Sequence, residues 1–65
     1  MFNLKIARLR RGLSQKELAE IIGVKNTAIS RWESGYNKIS TGKLIKLAQV
    51  LEVSTDFLLG LSDKM

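Results

Sequence analysis

Apolar residues recur along this chain at helical spacing, and glycines interrupt the pattern at intervals. In the stretch SQKELAEIIGVKNTAISRWESG, Leu18, Ala19 and Ile22 fall at i, i+1 and i+4, which predicts a helix over 15–22 with one inward stripe. Ser14 and Glu17 have the S-x-x-E spacing of a capping box, in which each residue satisfies a backbone N–H of the other. Gly23 ends the helix, because glycine enters the left-handed region at least cost. The next helix, over 26–34, turns Ala28, Ile29 and Trp32 inward and leaves Asn26, Thr27, Ser30 and Arg31 outside. Upstream, residues 2–11 form a first helix with Leu4, Ala7 and the stem of Arg11 on its inner side. Downstream, Ser40 or Thr41 caps a helix over 41–51 whose core face is Leu44, Leu47, Ala48 and Leu51. Ser54 caps a last helix, 55–59, with Phe57 and Leu58 as its apolar bulk, and 61–65 reads as a frayed tail. Gly12, Gly23, Gly35 and Gly60 are each followed by an apolar residue, the hydrophobic closure of a Schellman helix end. The pattern predicts an all-α bundle of five short helices in one domain spanning 1–65, with no strand.

The second and third of these helices, joined by a three-residue glycine turn, make a helix-turn-helix, whose second helix suits a DNA major groove. The outward residues have the chemistry for it. Asn26 can bond an adenine bidentately and Arg31 a guanine, while Thr27 and Ser30 can meet a base edge or a thymine methyl.

Length and composition narrow the alternatives. With 65 residues the chain has little core to spare, so caps and packing carry more of its stability than usual. It has neither cysteine nor histidine, which removes disulfides, thiolate zinc sites and imidazole bases or ligands. The six carboxylates are scattered over caps and surface positions and offer no acid–base pair or metal cluster, so an enzyme is not expected, and neither is a cofactor. No apolar run approaches the roughly 20 residues of a membrane span, and the basic start lacks a secretory signal's long apolar region, so the cytoplasm is the expected compartment. The net charge of +5 is uneven: residues 1–13 hold Lys5, Arg8, Arg10 and Arg11 without an acid. Such an excess suits a polyanionic partner.

The residues S-Q-x-E-L-A, then G-V, then I-S-R-W-E-S-G resemble the signature of the Cro/C1-type helix-turn-helix family of phage repressors and small bacterial regulators. The likeness runs from about Leu4 to Gly60 and includes the late segment LAQVLEVSTDFLLG. It implies a compact, lambda-repressor-like five-helix domain and a transcriptional repressor or regulator that reads a double-stranded DNA operator. It also implies that Asn26, Thr27, Ser30 and Arg31 face the groove. By the same resemblance Gln15 bonds a phosphate and steadies the third helix. The loop of Ser34, Tyr36, Asn37 and Lys38 grips the backbone through main-chain N–H groups and the lysine. Arg8 pairs with Glu33 across the bundle as a structural ion pair. Lys25 departs from the family's usual serine or threonine; it can reach a phosphate but cannot cap a helix, which leaves Asn26 either to cap or to read a base. Ile39 stands where the family often has proline. Family members usually bind near-palindromes as dimers, and here the dimer surface would be the end around Val53 to Leu61, with Phe57 and Leu61 exposed. A protein-interaction role, as in an antitoxin or antirepressor, and the DNA-binding piece of a longer repressor are the alternatives.

Overall fold

The computed structural model of the chain describes residues 1–36 and 38–65, with Phe2 described by its backbone alone. Five α-helices follow in order: α1 (Phe2–Arg10), α2 (Gln15–Ile22), α3 (Asn26–Glu33), α4 (Thr41–Leu51) and α5 (Thr55–Leu59). No strand occurs among the described residues. The first and third helices stop one residue short of the sequence expectation, with Arg11 and Ser34 as their C-caps.

Local chemistry sets these boundaries. At the start of α2 the capping box is complete: Glu17 N–H donates to Ser14 Oγ (3.0 Å) and Ser14 N–H to Glu17 Oε1 (2.9 Å). Ser40, not Thr41, caps α4, and Ser54 caps α5 by accepting from Phe57 N–H at 3.0 Å. All five helices end in the same six-to-one backbone bond, from Leu13 to Arg8, Val24 to Ala19, Tyr36 to Arg31, Val53 to Ala48 and Leu61 to Asp56. Four of these closures turn on glycine; the fifth turns on Glu52, at φ +56. The sequence pattern had placed only a short turn at that point.

Every helix contributes to one core. Leu4, Leu18, Ile29, Leu47, Leu51 and Leu58 are fully buried, and Ala7, Ala19, Ile22, Trp32, Ala48, Val53 and Phe57 surround them. Helix α3 packs on α2 and α1, α5 packs on α1 and α4, and α4 also touches α2. The radius of gyration, 10.2 Å, is close to the roughly 11 Å of a fully packed chain this long. Burial of apolar surface is what fixes the tilt of each helix, at roughly 1.5–3 kcal/mol for each fully buried large side chain.

Three expectations are corrected here. The Arg11 stem does not lie inward: the side chain is exposed and reaches Glu52 at 2.6 Å. Residues 61–65 are not a frayed end, because Ser54 N–H donates to Met65 O (3.1 Å) and Ser54 Oγ contacts Lys64 O (3.5 Å). A helix start has donors that lack an intrahelical partner, and the returning tail supplies carbonyls for them. Phe57, expected to stay exposed at a dimer surface, is only 5% exposed, since its position on α5 faces α1 and α4.

Candidate nucleic-acid interface

Helix α3 is held with one side in the core and the other in solvent. Ile29 and Trp32 are buried and Ala28 half-buried, whereas Asn26, Thr27, Ser30 and Arg31 are all exposed. The indole of Trp32 donates to Lys38 O at 3.3 Å, so the aromatic ring anchors both the helix and the loop that follows it.

The orientation of α3 is set by charge as well as by packing. Arg8 Nε donates to Glu33 Oε2 at 2.5 Å and Nη2 to Oε1 at 3.3 Å, a two-point grip. Its Nη1 donates to Leu13 O at 2.8 Å, and Gln15 Nε2 donates to Glu33 Oε1 at 3.0 Å. The two charged side chains are 8% and 6% exposed. The end of α3 is thereby tied to the middle of α1, to the α1–α2 turn and to the first residue of α2. Desolvating such a pair is costly, and the four hydrogen bonds together offset that cost. The pair's best-attested kind of role is to fix one arrangement of the elements it joins.

The remaining residues singled out in the sequence fall as follows. Lys25 is the N-cap of α3 and forms no cap bond; Asn26 lies one position inside the helix, so it has not taken the cap's place, and its amide is free among the described residues. Gln15, at the start of α2, has one amide N–H directed at Glu33, and the geometry of a capped helix leaves its own main-chain N–H facing outward. Tyr36 and Lys38 are exposed beyond the C-terminal end of α3. Asn37 lies outside the described residues. Ser34 is turned back on its own helix, its hydroxyl donating to Ser30 O (2.7 Å) and Arg31 O (3.2 Å). The main-chain N–H groups of Ser34, Gly35 and Tyr36 likewise close the helix, to Ser30 O, Trp32 O and Arg31 O. The main-chain grip expected of this loop is therefore not available from those three residues.

The basic excess of the first thirteen residues also looks different in three dimensions. Arg8 is buried against Glu33, Arg11 pairs with Glu52, and Arg10 donates weakly to Glu52 O at 3.5 Å. Arg31 is the one arginine whose guanidinium has no partner among the described residues, and it stands on the outward side of α3. Lys16 was not singled out by the sequence. It is exposed in the first turn of α2 beside Gln15, without an ion pair among the described residues. The available signal was a cation at the positive end of a helix, where the helix dipole disfavours it unless an anion is near. Among the described residues no three acidic side chains gather where a metal would bind, and no helix is long and apolar enough to cross a membrane.

The sequence model of the helix-turn-helix family matches residues 4–58. The chain is similar to the HTH-type transcriptional regulator ImmR of Bacillus subtilis (strain 168), 44% identical over 57 residues that make up 88% of this chain and 45% of that protein. It is similar to the SPbeta prophage-derived HTH-type transcriptional regulator YonR of the same organism, 38% identical over 56 residues, 86% of this chain and 52% of that one. It is also similar to the HTH-type transcriptional activator BcrR of Enterococcus faecalis, 42% identical over 60 residues, 89% of this chain and 29% of that protein. The chain spans about half, or less, of the length of these relatives. With 55 of its residues inside the family match, the chain belongs to the helix-turn-helix family, of the Cro/C1 type.

Proposed function

We propose that this chain is a sequence-specific double-stranded DNA-binding domain that regulates transcription, most simply as a cytoplasmic repressor that occupies a promoter. It is a binding protein and not an enzyme. The observation that carries the reading is the placement of Arg31: three arginines have partners in the chain, Arg8 inside the bundle and Arg10 and Arg11 at its surface, and the fourth projects from an outward polar face of α3 together with Asn26, Thr27 and Ser30. An exposed helix face of this kind fits a major groove, about 12 Å wide against about 10–12 Å for a helix with its side chains.

In this reading Asn26, Thr27, Ser30 and Arg31 meet base edges, and Gln15, Lys16, Lys25, Tyr36 and Lys38 meet phosphates. Ser34 joins the phosphate set only by releasing its own helix. The resemblance adds Asn37 to the same set. Most of the affinity comes from phosphate neutralisation, which is independent of sequence, and the four groove residues choose the site. One copy covers one half-site, and a homodimer covers a near-palindrome with half-sites about one helical turn apart. The dimer surface is the end of the molecule at α5, where Leu59 and Leu61 are exposed. The similarity to regulators about twice as long or longer supports the further reading that such a domain works as the DNA-binding piece of a larger protein.

The test is selection of bound sites from a random duplex pool, followed by binding to the enriched site at rising salt. A palindromic consensus and a log–log salt slope of several units support the reading. Salt-sensitive binding without any enrichment removes operator recognition by this chain.

A further inference from the structure

Resting on the reading of a DNA-bound homodimer, we infer that the outer side of α1 is a docking surface for the α5 end of a second copy. The α5 end of the first copy is taken in return by α1 of the second. The starting point is that α1 is apolar on two opposite sides. With about 100° of rotation per residue and Leu4 at zero, the buried Met1, Ala7 and Arg8 fall within about 60° of it. Ile6 and Leu9 fall near 200° and 140°, opposite the core, and are 51% and 57% exposed. A helix that is apolar on both sides is ordinarily covered on both. The outer sides of α2 and α3 carry mostly charged and polar residues, and that of α1 does not.

Two hydrogen bonds place this stripe beside the end of α5. Asn3, one turn before Ile6, donates to Phe57 O at 2.7 Å, and Gly60 N–H donates to the same carbonyl at 3.1 Å. The chain reversal at Gly60, which presents Leu61, therefore abuts α1, and Leu59 is exposed on the helix before it. Exposed apolar side chains of α1 and α5 thus adjoin at one end of the molecule. A two-fold contact needs such adjacency, because each copy must offer both halves of the contact on one surface.

Charge decides how the halves pair. Lys5 and Arg10 stand near 100° and 240°, one on either flank of the α1 stripe, and residues 1–13 hold no acid. On α5, Asp56 stands beside Leu59 on the side away from buried Phe57 and Leu58, without an ion pair among the described residues. Two α1 stripes facing each other would bring cations together, and two α5 ends would bring the Asp56 carboxylates together. The crossed pairing sets apolar side chains against apolar ones and opposite charges side by side, twice per dimer. Only a few large apolar side chains are covered, so the contact is weak in free solution and forms fully when one duplex holds two copies close.

The chain lacks cysteine, which allows a direct test. Ile6→Cys and Leu61→Cys chains, one of them carrying heavy nitrogen, are mixed at high concentration, oxidised mildly, and the linked pairs weighed. The crossed contact yields mainly the mixed pair, whereas random encounter yields like pairs as often as mixed ones. A second readout is the ratio of affinities for a two-half-site and a single-half-site duplex, which cancels any change in general attraction to DNA. Arg10→Glu and Asp56→Lys should each lower that ratio about 10-fold, as like charges at a contact do, and the two together should restore it. All these positions are exposed, so unchanged circular dichroism and thermal melting show that none acts through folding. Like pairs as abundant as mixed ones, or a ratio that Arg10→Glu leaves unchanged, overturns the inference while operator selection still stands. Failure to enrich any duplex removes operator recognition instead, and the disulfide products still decide the contact.

Discussion

Arg8 shows how a single residue determines the shape of the interface without touching it. Its guanidinium holds Glu33 at two points and Leu13 O at a third, inside the bundle. Removing it leaves a carboxylate buried with only Gln15 for company, and stranding a buried charge costs roughly 3–5 kcal/mol. A chain of this size has on the order of 3–10 kcal/mol in total, so Arg8→Met is expected to unfold at a much lower urea concentration or not to fold at all. The double change Arg8→Met with Glu33→Leu should recover most of that loss, because no charge is then left behind. Urea titrations of the two variants check this; equal destabilisation of both shows that the pair's worth lies elsewhere. Glu17 is the exposed counterpart. Hydrogen bonding from the Ser14 backbone, then from the Ser14 side chain, holds its carboxyl below the ordinary value of 4.5. A lowered folded-state pKa means stability that is complete above the unfolded value and disappears as pH falls through the folded one. The melting temperature of Glu17→Ala should therefore lie below that of the wild type near about pH 7, and the gap should close as the pH falls below 4.5 and through the lowered folded-state pKa. A gap that is unchanged by acid removes the charged cap as its cause.

At the scale of the helices, the ends were more legible than the partners. Apolar spacing gave all five helices, and glycine before an apolar residue gave four of the five stops, because both are local rules. The fifth stop escaped because a glutamate is made left-handed there by what surrounds it: Val53 is buried just beyond, and Arg10 and Arg11 approach from α1. The two kinds of stop make opposite predictions. At Gly23, φ +84, a Cβ meets nothing within 4 Å, so Gly23→Ala carries only the backbone penalty, a loss of about 1 kcal/mol. At Glu52, glycine relieves roughly 1–2 kcal/mol of backbone strain and costs about 0.5–1 kcal/mol in chain entropy. In about 1 M salt, where the exposed pair with Arg11 is screened, Glu52→Gly should be the more stable by about 0.5–1 kcal/mol. Thermal melts of both variants decide it, and a Glu52→Gly destabilised even in that salt would show that the left-handed turn at Glu52 stores no such strain. The interface followed the same division. Which side of α3 faces outward followed from periodicity, but which arginine is unpaired depends on residues 25 to 42 positions apart and has no local signal.

At the scale of the whole molecule, the surface at the α5 end has to be redrawn around what is exposed. Phe57 and Leu61 lie four positions apart and look equivalent as apolar residues near a terminus. In the fold Phe57 is 5% exposed and its carbonyl accepts from Asn3 Nδ2 at 2.7 Å, whereas Leu61 is 74% exposed. The difference comes from the helix end between them: Gly60, at φ +78, reverses the chain, and Leu61 N–H closes onto Asp56 O at 2.8 Å. The apolar face of α5 is thus used up by α1 and α4, and the residue just past the reversal is presented to solvent, with Leu59 also exposed. Substitution separates the two roles. Phe57→Asp buries an unpaired charge in the core and should lower stability by several kcal/mol, with loss of helical signal, whatever the state of association. Leu61→Asp changes an exposed position and should leave the melting temperature of a dilute sample within about 2 °C. If copies associate through this end, the same variant shifts sedimentation toward the monomer and weakens binding to a two-half-site duplex much more than to a single half-site. A Leu61→Asp protein that sediments and binds like the wild type moves the dimer contact off this end of the molecule.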